Sequence, residues 1–490
     1  MTTATSADEP VERRRKIPVR TKLLFASGAL QEATVTAGGI TTILFYNQVL
    51  GMSAALAGTA YLIVSIIDAV ADPIVGTMSD RFRSRWGRRH PFMFASALPI
   101  AIGFFFLYQP IDGLSEFGLF IWLAAFFALV RLGQTFYLIP HDALGAEMTD
   151  DYDERSSIFG YNMVVQMILS IAVVGAMLYF IFPSTPEYDN GLLNEGRYIV
   201  LASVGAVTIL FSVLLCTFGT MDQIPYLHKI NVSDKFQFKK YFRELLELLK
   251  NPSYLAACLS MVITFISLGI IGIVNAYAYI YVFELSSEEI FWAAVAKMPG
   301  VFVALPLMVW LSKYLEKKQI VIWAVLFTAI MCATPHTLKL LGLFVANDSP
   351  LLVPLIFGPL MLGFMVFPVS QIIIDSQLCD VADEHELNTG KRGEGIIFSV
   401  RSFGNKTTQG VGGLFAGFGL EFIGFPEKAE VGNLAPATLD GLLILNGPVY
   451  FVFYIFAVFA MSFYNIDKKR HDEILVELEA RREAASNAEG

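Results

Sequence analysis

Residues 54–80 read AALAGTAYLIVSIIDAVADPIVGTMSD. Apart from Asp68, Asp72 and the closing Asp80, the run carries no charge. At about 1.5 Å per helical residue it is long enough to cross a hydrocarbon core of about 30 Å. Comparable apolar blocks recur on both sides, and they predict twelve helical spans at 23–48, 54–80, 92–110, 117–145, 157–182, 198–219, 252–283, 287–312, 319–342, 351–379, 395–424 and 440–465. The composition agrees with this reading: the 490 residues are 55% hydrophobic and 16% charged, with a mean hydropathy of +0.57. A soluble chain carries closer to a quarter charged residues, so a soluble globular protein is excluded. The fold class expected is an all-α membrane protein with twelve transmembrane helices in two six-helix bundles.

An even number of spans puts both ends on one side, and the Lys and Arg residues choose that side. Arg13, Arg14, Arg15, Lys16, Arg20 and Lys22 precede the first span, and Arg81, Arg83, Arg85, Arg88 and Arg89 fill the loop after the second. Lys229, Lys235, Lys239, Lys240, Arg243 and Lys250 lie between spans six and seven, and Lys468, Lys469 and Arg470 follow the last. The opposite loops hold little beyond Arg197, Lys339 and Lys428. Both termini are therefore expected in the cytoplasm, in a bacterial inner membrane. The first residues are polar and basic without an apolar core, so no removable signal peptide is expected.

The chain divides by its own composition into a cytoplasmic segment 1–22, a bundle 23–219, a polar linker 220–251, a second bundle 252–465 and a tail 466–490 read as a short surface helix. The halves echo one another. Asp150-Asp151-Tyr152-Asp153-Glu154 follows span 4, and Asp380-Val381-Ala382-Asp383-Glu384 follows span 10. Matching position argues for a duplicated six-helix unit, the construction common among secondary transporters.

The chemistry centres on Asp68 and Asp72. Spaced i, i+4, they share one helical face about midway along a membrane segment. An ionised Asp at mid-membrane costs roughly 2.5–3.5 kcal/mol, and a cation held between the two carboxylates offsets it. Sodium suits such hard oxygen ligands, and a proton serves as well; a structural polar network is the competing reading. Glu32 beside Gln31 in span 1 is a further acid, which either faces the interior or snorkels to the interface. Arg401 and Lys406, with Asn405, stand in the small, apolar span 11, and buried cations of this kind face a bundle interior or a water-filled cavity. Asp80, Arg81, Arg88 and Arg89 after span 2 are expected to form a cytoplasmic charge latch. Their expected partners lie across the two halves: Glu154 and Arg155 in one, Asp380, Asp383 and Arg392 in the other. Such a latch biases a two-state equilibrium. Cys216, Cys258, Cys332 and Cys379 are scattered through apolar segments, so neither disulfide nor zinc is expected. Gly390-Lys391-Arg392-Gly393-Glu394 lacks the upstream glycine and the Ser/Thr of a phosphate loop, and no enzyme signature is present.

Asp68-x-x-x-Asp72-Pro73-x-x-Gly76-x-x-Ser79-Asp80-Arg81, followed by Ser84-Arg85-Trp86-Gly87-Arg88-Arg89-His90-Pro91, resembles the glycoside–pentoside–hexuronide:cation symporters. That is the melibiose permease-like group of the major facilitator superfamily. Ile139-Pro140-x-x-Ala143-Leu144-Gly145-Ala146-Glu147-Met148-Thr149 and Asp380-x-x-Asp383-Glu384 … Thr389-Gly390-x-Arg392-x-Glu394-Gly395 … Lys406 fit the same group, so the resemblance runs from span 1 to span 12. It implies symport of a sugar-like solute with sodium or a proton, with no other cofactor. By position it implies Asp68, Asp72 and Thr135 as cation-coupling residues, Asp68 and Asp72 being the metal ligands if the ion is sodium. Glu32 falls on the acidic sugar-binding position and Lys406 on the helix 11 lysine. Where the melibiose permeases carry a further acid on helix 4 this chain has Leu138, with Asp142 one turn later as the substitute substrate-binding group; Ala71 replaces a polar residue, and the helix 5 arginine is missing. Arg401 suits a carboxylated sugar. The partners expected are a sugar or sugar acid and the lipid bilayer, with no nucleic acid, for a monomer. Two alternatives stay open: a carrier of a lysolipid-like amphipathic solute, and a non-transporting receptor on the same fold.

Overall fold

The computed structural model describes residues 16–227, 248–390, 397 and 410–489. Most of the expected linker 220–251 lies outside them, as do Arg392, Arg401 and Lys406. Among the described residues, regular structure is helical apart from one isolated bridge between Thr185 and Tyr188. Nine helices among the described residues are long and apolar enough to cross a membrane: Ala54–Arg81, His90–Leu107, Glu116–Glu147, Asp153–Ile181, Glu195–Gly219, Pro252–Val282, Lys317–Leu340, Leu352–Thr389 and Pro436–Ser462. Ala29–Leu44, Pro299–Leu311 and Gly410–Phe422 are helices at the places expected for spans 1, 8 and 11.

Helix starts follow local chemistry. The Ser115 side chain accepts from the Gly118 amide, Asn251 accepts from Ser253 and Tyr254 ahead of Pro252, and Ser286 forms a capping box with Glu289. Each supplies an acceptor to amides that have no intrahelical partner. Large apolar side chains such as Ile66, Val70 and Ile74 stay exposed at helical spacing, as they do where lipid replaces water as the solvent. The π-helical turns Phe45–Val49 and Ala278–Val282 close the first span of each half, a structural counterpart of the sequence echo.

The chain packs into two compact units whose division does not follow chain order. One comprises the described parts of Met1–Phe45, Ile66–Pro183 and Gly191–Asp234; the other comprises Tyr46–Ser65, Ser184–Asn190 and the described parts of Lys235–Gly490. In the first, His90–Leu107 packs on Glu116–Glu147 and on Tyr198–Gly219, and Ala29–Leu44 packs on Tyr152–Ala176. In the second, Pro252–Tyr277 packs on Tyr450–Ser462, and Leu352–Thr389 packs on both Lys317–Leu340 and Pro299–Leu311. Residues expected with the first bundle, 46–65, join the second unit for a steric reason. Gly58 lies so close to Gly410–Phe422 that a Cβ there would stand 2.5 Å from the Gly413 carbonyl oxygen. Asn47 and Gln48 add hydrogen bonds from the Tyr277 and Tyr281 hydroxyls, at 3.1 and 2.9 Å. The tail is a 22-residue helix, Lys468–Glu489. It is tied to the end of Leu352–Thr389 by His471 Nε2 to Asp383 Oδ2, 3.2 Å, and by Arg481 Nη1 donating to the Leu387 carbonyl, 2.6 Å.

Candidate cation and substrate site

Two i, i+4 pairs face each other in the first unit. Asp68 and Asp72 lie on Ala54–Arg81; Arg131 and Thr135 lie on Glu116–Glu147. Arg131 Nη2 donates to Asp68 Oδ2 at 2.7 Å, and the Thr135 hydroxyl sits 2.7 Å from Asp68 Oδ1 and 3.2 Å from Asp72 Oδ1. The Asp68 side chain is 2% exposed and that of Arg131 is 25%. Pro73 follows directly and lacks an N–H, which takes away the usual helical donor for the Ala69 carbonyl between the two acids.

A hydroxyl carries one proton, so Thr135 cannot donate fully to both carboxylates while both are ionised. Asp68 Oδ1, Asp72 Oδ1 and Thr135 Oγ1 therefore converge as hard oxygen donors, a set that fits a small monovalent cation. No cluster of three or more His, Cys, Asp or Glu suited to a metal occurs among the described residues. Arg131 was not anticipated. It is the one Lys or Arg within the apolar run 117–145, and that isolation was the signal that marked it.

Glu32 Oε2 accepts from Gln166 Nε2 at 2.8 Å. His141, Asp142 and Arg131 are close enough to act electrostatically on Glu32, which brings two of the sequence-derived substrate positions, Glu32 and Asp142, into one region. Asp142 is 70% exposed and lies 3.4 Å from His141 Nδ1, so it is open to a ligand rather than locked in the core. Arg401 and Lys406 lie outside the described residues.

The charge clusters have close partners among the described residues. Arg88 and Arg89 both reach Glu147 Oε1, at 2.8 and 2.7 Å, and Arg89 also reaches Asp80 at 2.6 Å. Glu154 pairs with Lys22 and accepts from the Ile17 amide at 2.9 Å, while Arg155 donates to the Thr149 carbonyl at 3.1 Å. Asp380 takes Lys317 at 2.7 Å, the Tyr464 hydroxyl at 3.3 Å and His471 at 3.5 Å. These contacts lie within the unit that carries each residue. The reason is reach: Glu147 and Lys317 end or begin helices packed beside the cluster, and a buried charge takes the nearest counter-charge. Arg81 has an exposed position at the end of its helix, and Arg392 lies outside the described residues.

Membrane-length helices and an ion-paired carboxylate within one of them mark a polytopic membrane protein, and the family and relatives identify it as a transporter rather than an enzyme. The chain belongs to the family described as MFS/sugar transport protein, whose model matches residues 24–468. It is similar to the putative glycoside/cation symporter YagG of Escherichia coli (strain K12), with 25% identity covering 91% of each chain. It is also similar to the glucuronide carrier protein homolog of the same organism, with 23% identity covering 91% of this chain and 92% of the other. Among solved structures, one described for proton dependent oligopeptide transporters shares the fold at a TM-score of 0.62. It has 13% identity and covers 93% of this chain and 99% of that one.

Proposed function

We propose that the protein is a secondary active symporter that carries a sugar, glycoside or sugar acid together with sodium or a proton by alternating access. In this reading it lies in the bacterial inner membrane with both termini cytoplasmic. The observation that carries the proposal is the Asp68–Asp72–Thr135–Arg131 constellation. It brings two carboxylates, a hydroxyl and a guanidinium together on two facing helices, a set of hard oxygen donors that suits a monovalent cation. Arg131 holds Asp68 while the ion is away, so ion entry and loosening of the Arg131 contact are one exchange rather than two independent events. Glu32 and Asp142 supply carboxylate acceptors for sugar hydroxyls close by. Relatives named for glycosides and glucuronides support a sugar-like cargo. Asp80, Arg88, Arg89 and Glu154 in one unit, and Asp380 and Asp383 in the other, are read as bracing the helix ends of their own unit.

The test is uptake into proteoliposomes of neutral and acidic sugars under an imposed inward sodium or proton gradient, with wild type beside Asp68→Asn. Uptake that follows one gradient and collapses in the variant is the expected result, and it identifies the ion. Uptake indifferent to both gradients, or retained in Asp68→Asn, removes the symport reading.

A further inference from the structure

Lys297 is the one Lys or Arg in the apolar run 287–312. It stands in the break between Ser287–Val295 and Pro299–Leu311. Ten residues beyond Ser287, at about 1.5 Å each, it lies roughly 15 Å along the segment, the middle of a hydrocarbon core of about 30 Å. Its side chain is exposed, and a charged group at that depth faces a bundle interior or a water-filled cavity rather than lipid. Two neighbours position it. A Cβ on Gly300 would lie 2.0 Å from the Phe364 carbonyl oxygen, so the absence of a side chain lets this segment press onto Leu352–Thr389. Lys297 Nζ then lies 5.1 Å from the centroid of the Phe364 ring. Among the described residues no carboxylate acts on Lys297 and no acceptor takes a hydrogen bond from its ammonium.

A cation at mid-membrane costs about 2.5–3.5 kcal/mol, and one aromatic face offsets about 0.5–2 kcal/mol of that. Arg131 and Lys317 meet acids at 2.7 Å; Lys297 meets none among the described residues. We infer that Lys297 is a substrate-binding residue that receives the carboxylate of an anionic sugar, a uronic acid or its glycoside. A single ammonium without an arginine fork matches a monoanion, whereas a phosphate dianion would retain an uncompensated charge at that depth. Phe364 offers an apolar face beside it for the sugar ring. The inference rests on the sugar-symport reading and narrows its substrate class.

The test compares methyl β-D-glucuronide with methyl β-D-glucoside, which differ by a carboxylate against a hydroxymethyl group, in wild type, Lys297→Gln and Lys297→Arg. Uptake into proteoliposomes and ligand-induced thermal stabilisation of the purified protein are both read. The expected result is a wild-type preference for the glucuronide that falls about 10- to 100-fold in Lys297→Gln, the range for losing a charge-assisted hydrogen bond, with the preference largely kept in Lys297→Arg. A preference that survives in Lys297→Gln overturns the role of Lys297 and leaves sugar symport standing, as does a wild type that takes the glucoside and refuses the glucuronide. Failure of the wild type to bind or carry either glycoside, or any sugar in the gradient screen, removes the sugar reading and this inference with it.

Discussion

Arg131→Gln tests the reasoning about the cation site most directly. The guanidinium and the Asp68 carboxylate meet at 2.7 Å, with side chains 25% and 2% exposed. Unit charges centred about 4 Å apart interact by about 4 kcal/mol at an effective dielectric constant near 20. Because Arg131 is a quarter exposed, solvent screening discounts this to about 2 kcal/mol, or roughly a 30-fold change in an equilibrium constant. Glutamine keeps a hydrogen-bond donor and removes the charge. The variant should therefore be less stable without added ion and bind a monovalent metal ion about 30-fold more tightly, since the tethered competitor for Asp68 is gone. Purified wild type and variant are titrated with sodium chloride and lithium chloride, with choline chloride fixing ionic strength, and the melting temperature is followed. A half-saturating sodium concentration that is unchanged or higher in the variant refutes the argument that Arg131 and the ion compete.

Two further substitutions separate coupling from scaffolding. Thr135→Ala removes the hydroxyl shared by the two acids. It should weaken ion-dependent stabilisation by about tenfold, the scale of one hydrogen bond to a charged group, while Thr135→Ser restores it; equal behaviour of the two variants would dismiss the hydroxyl as a ligand. Glu147→Gln leaves the buried Arg88 and Arg89 guanidiniums short of their shared carboxylate. A loss of about 3 kcal/mol of stability is expected, read as a lowered melting temperature with the half-saturating ion concentration unaltered. A change in ion affinity instead would connect this cluster to the cation site.

Membrane residence, helix positions and the Asp68/Asp72 pair were legible from local information. An apolar run announces a span because unpaired backbone groups are too costly in lipid for anything but a helix, and an i, i+4 spacing fixes a shared face whatever surrounds it. The counter-charges were harder. The density of arginines after span 2 drew attention to that loop, but nothing local indicated that Glu147 would meet Arg88 and Arg89. Sequence order also assigned 46–65 to the first bundle, whereas side-chain-free contact at Gly58 and hydrogen bonds at Asn47 and Gln48 draw it into the second unit.

By itself, then, the sequence determined that this chain lives in a membrane, where its spans fall, and that two acids at mid-span demand a compensating positive charge. Each of these follows from the cost of placing a group in lipid and from helical periodicity, which are properties of a segment alone. Only the tertiary structure decided which cation answers which acid. Arg131 lies 63 residues from Asp68 and meets it at 2.7 Å, while Lys297, equally isolated in its own span, meets no described acid. Charge pairing depends on distance through space, and helix packing sets that distance independently of separation along the chain.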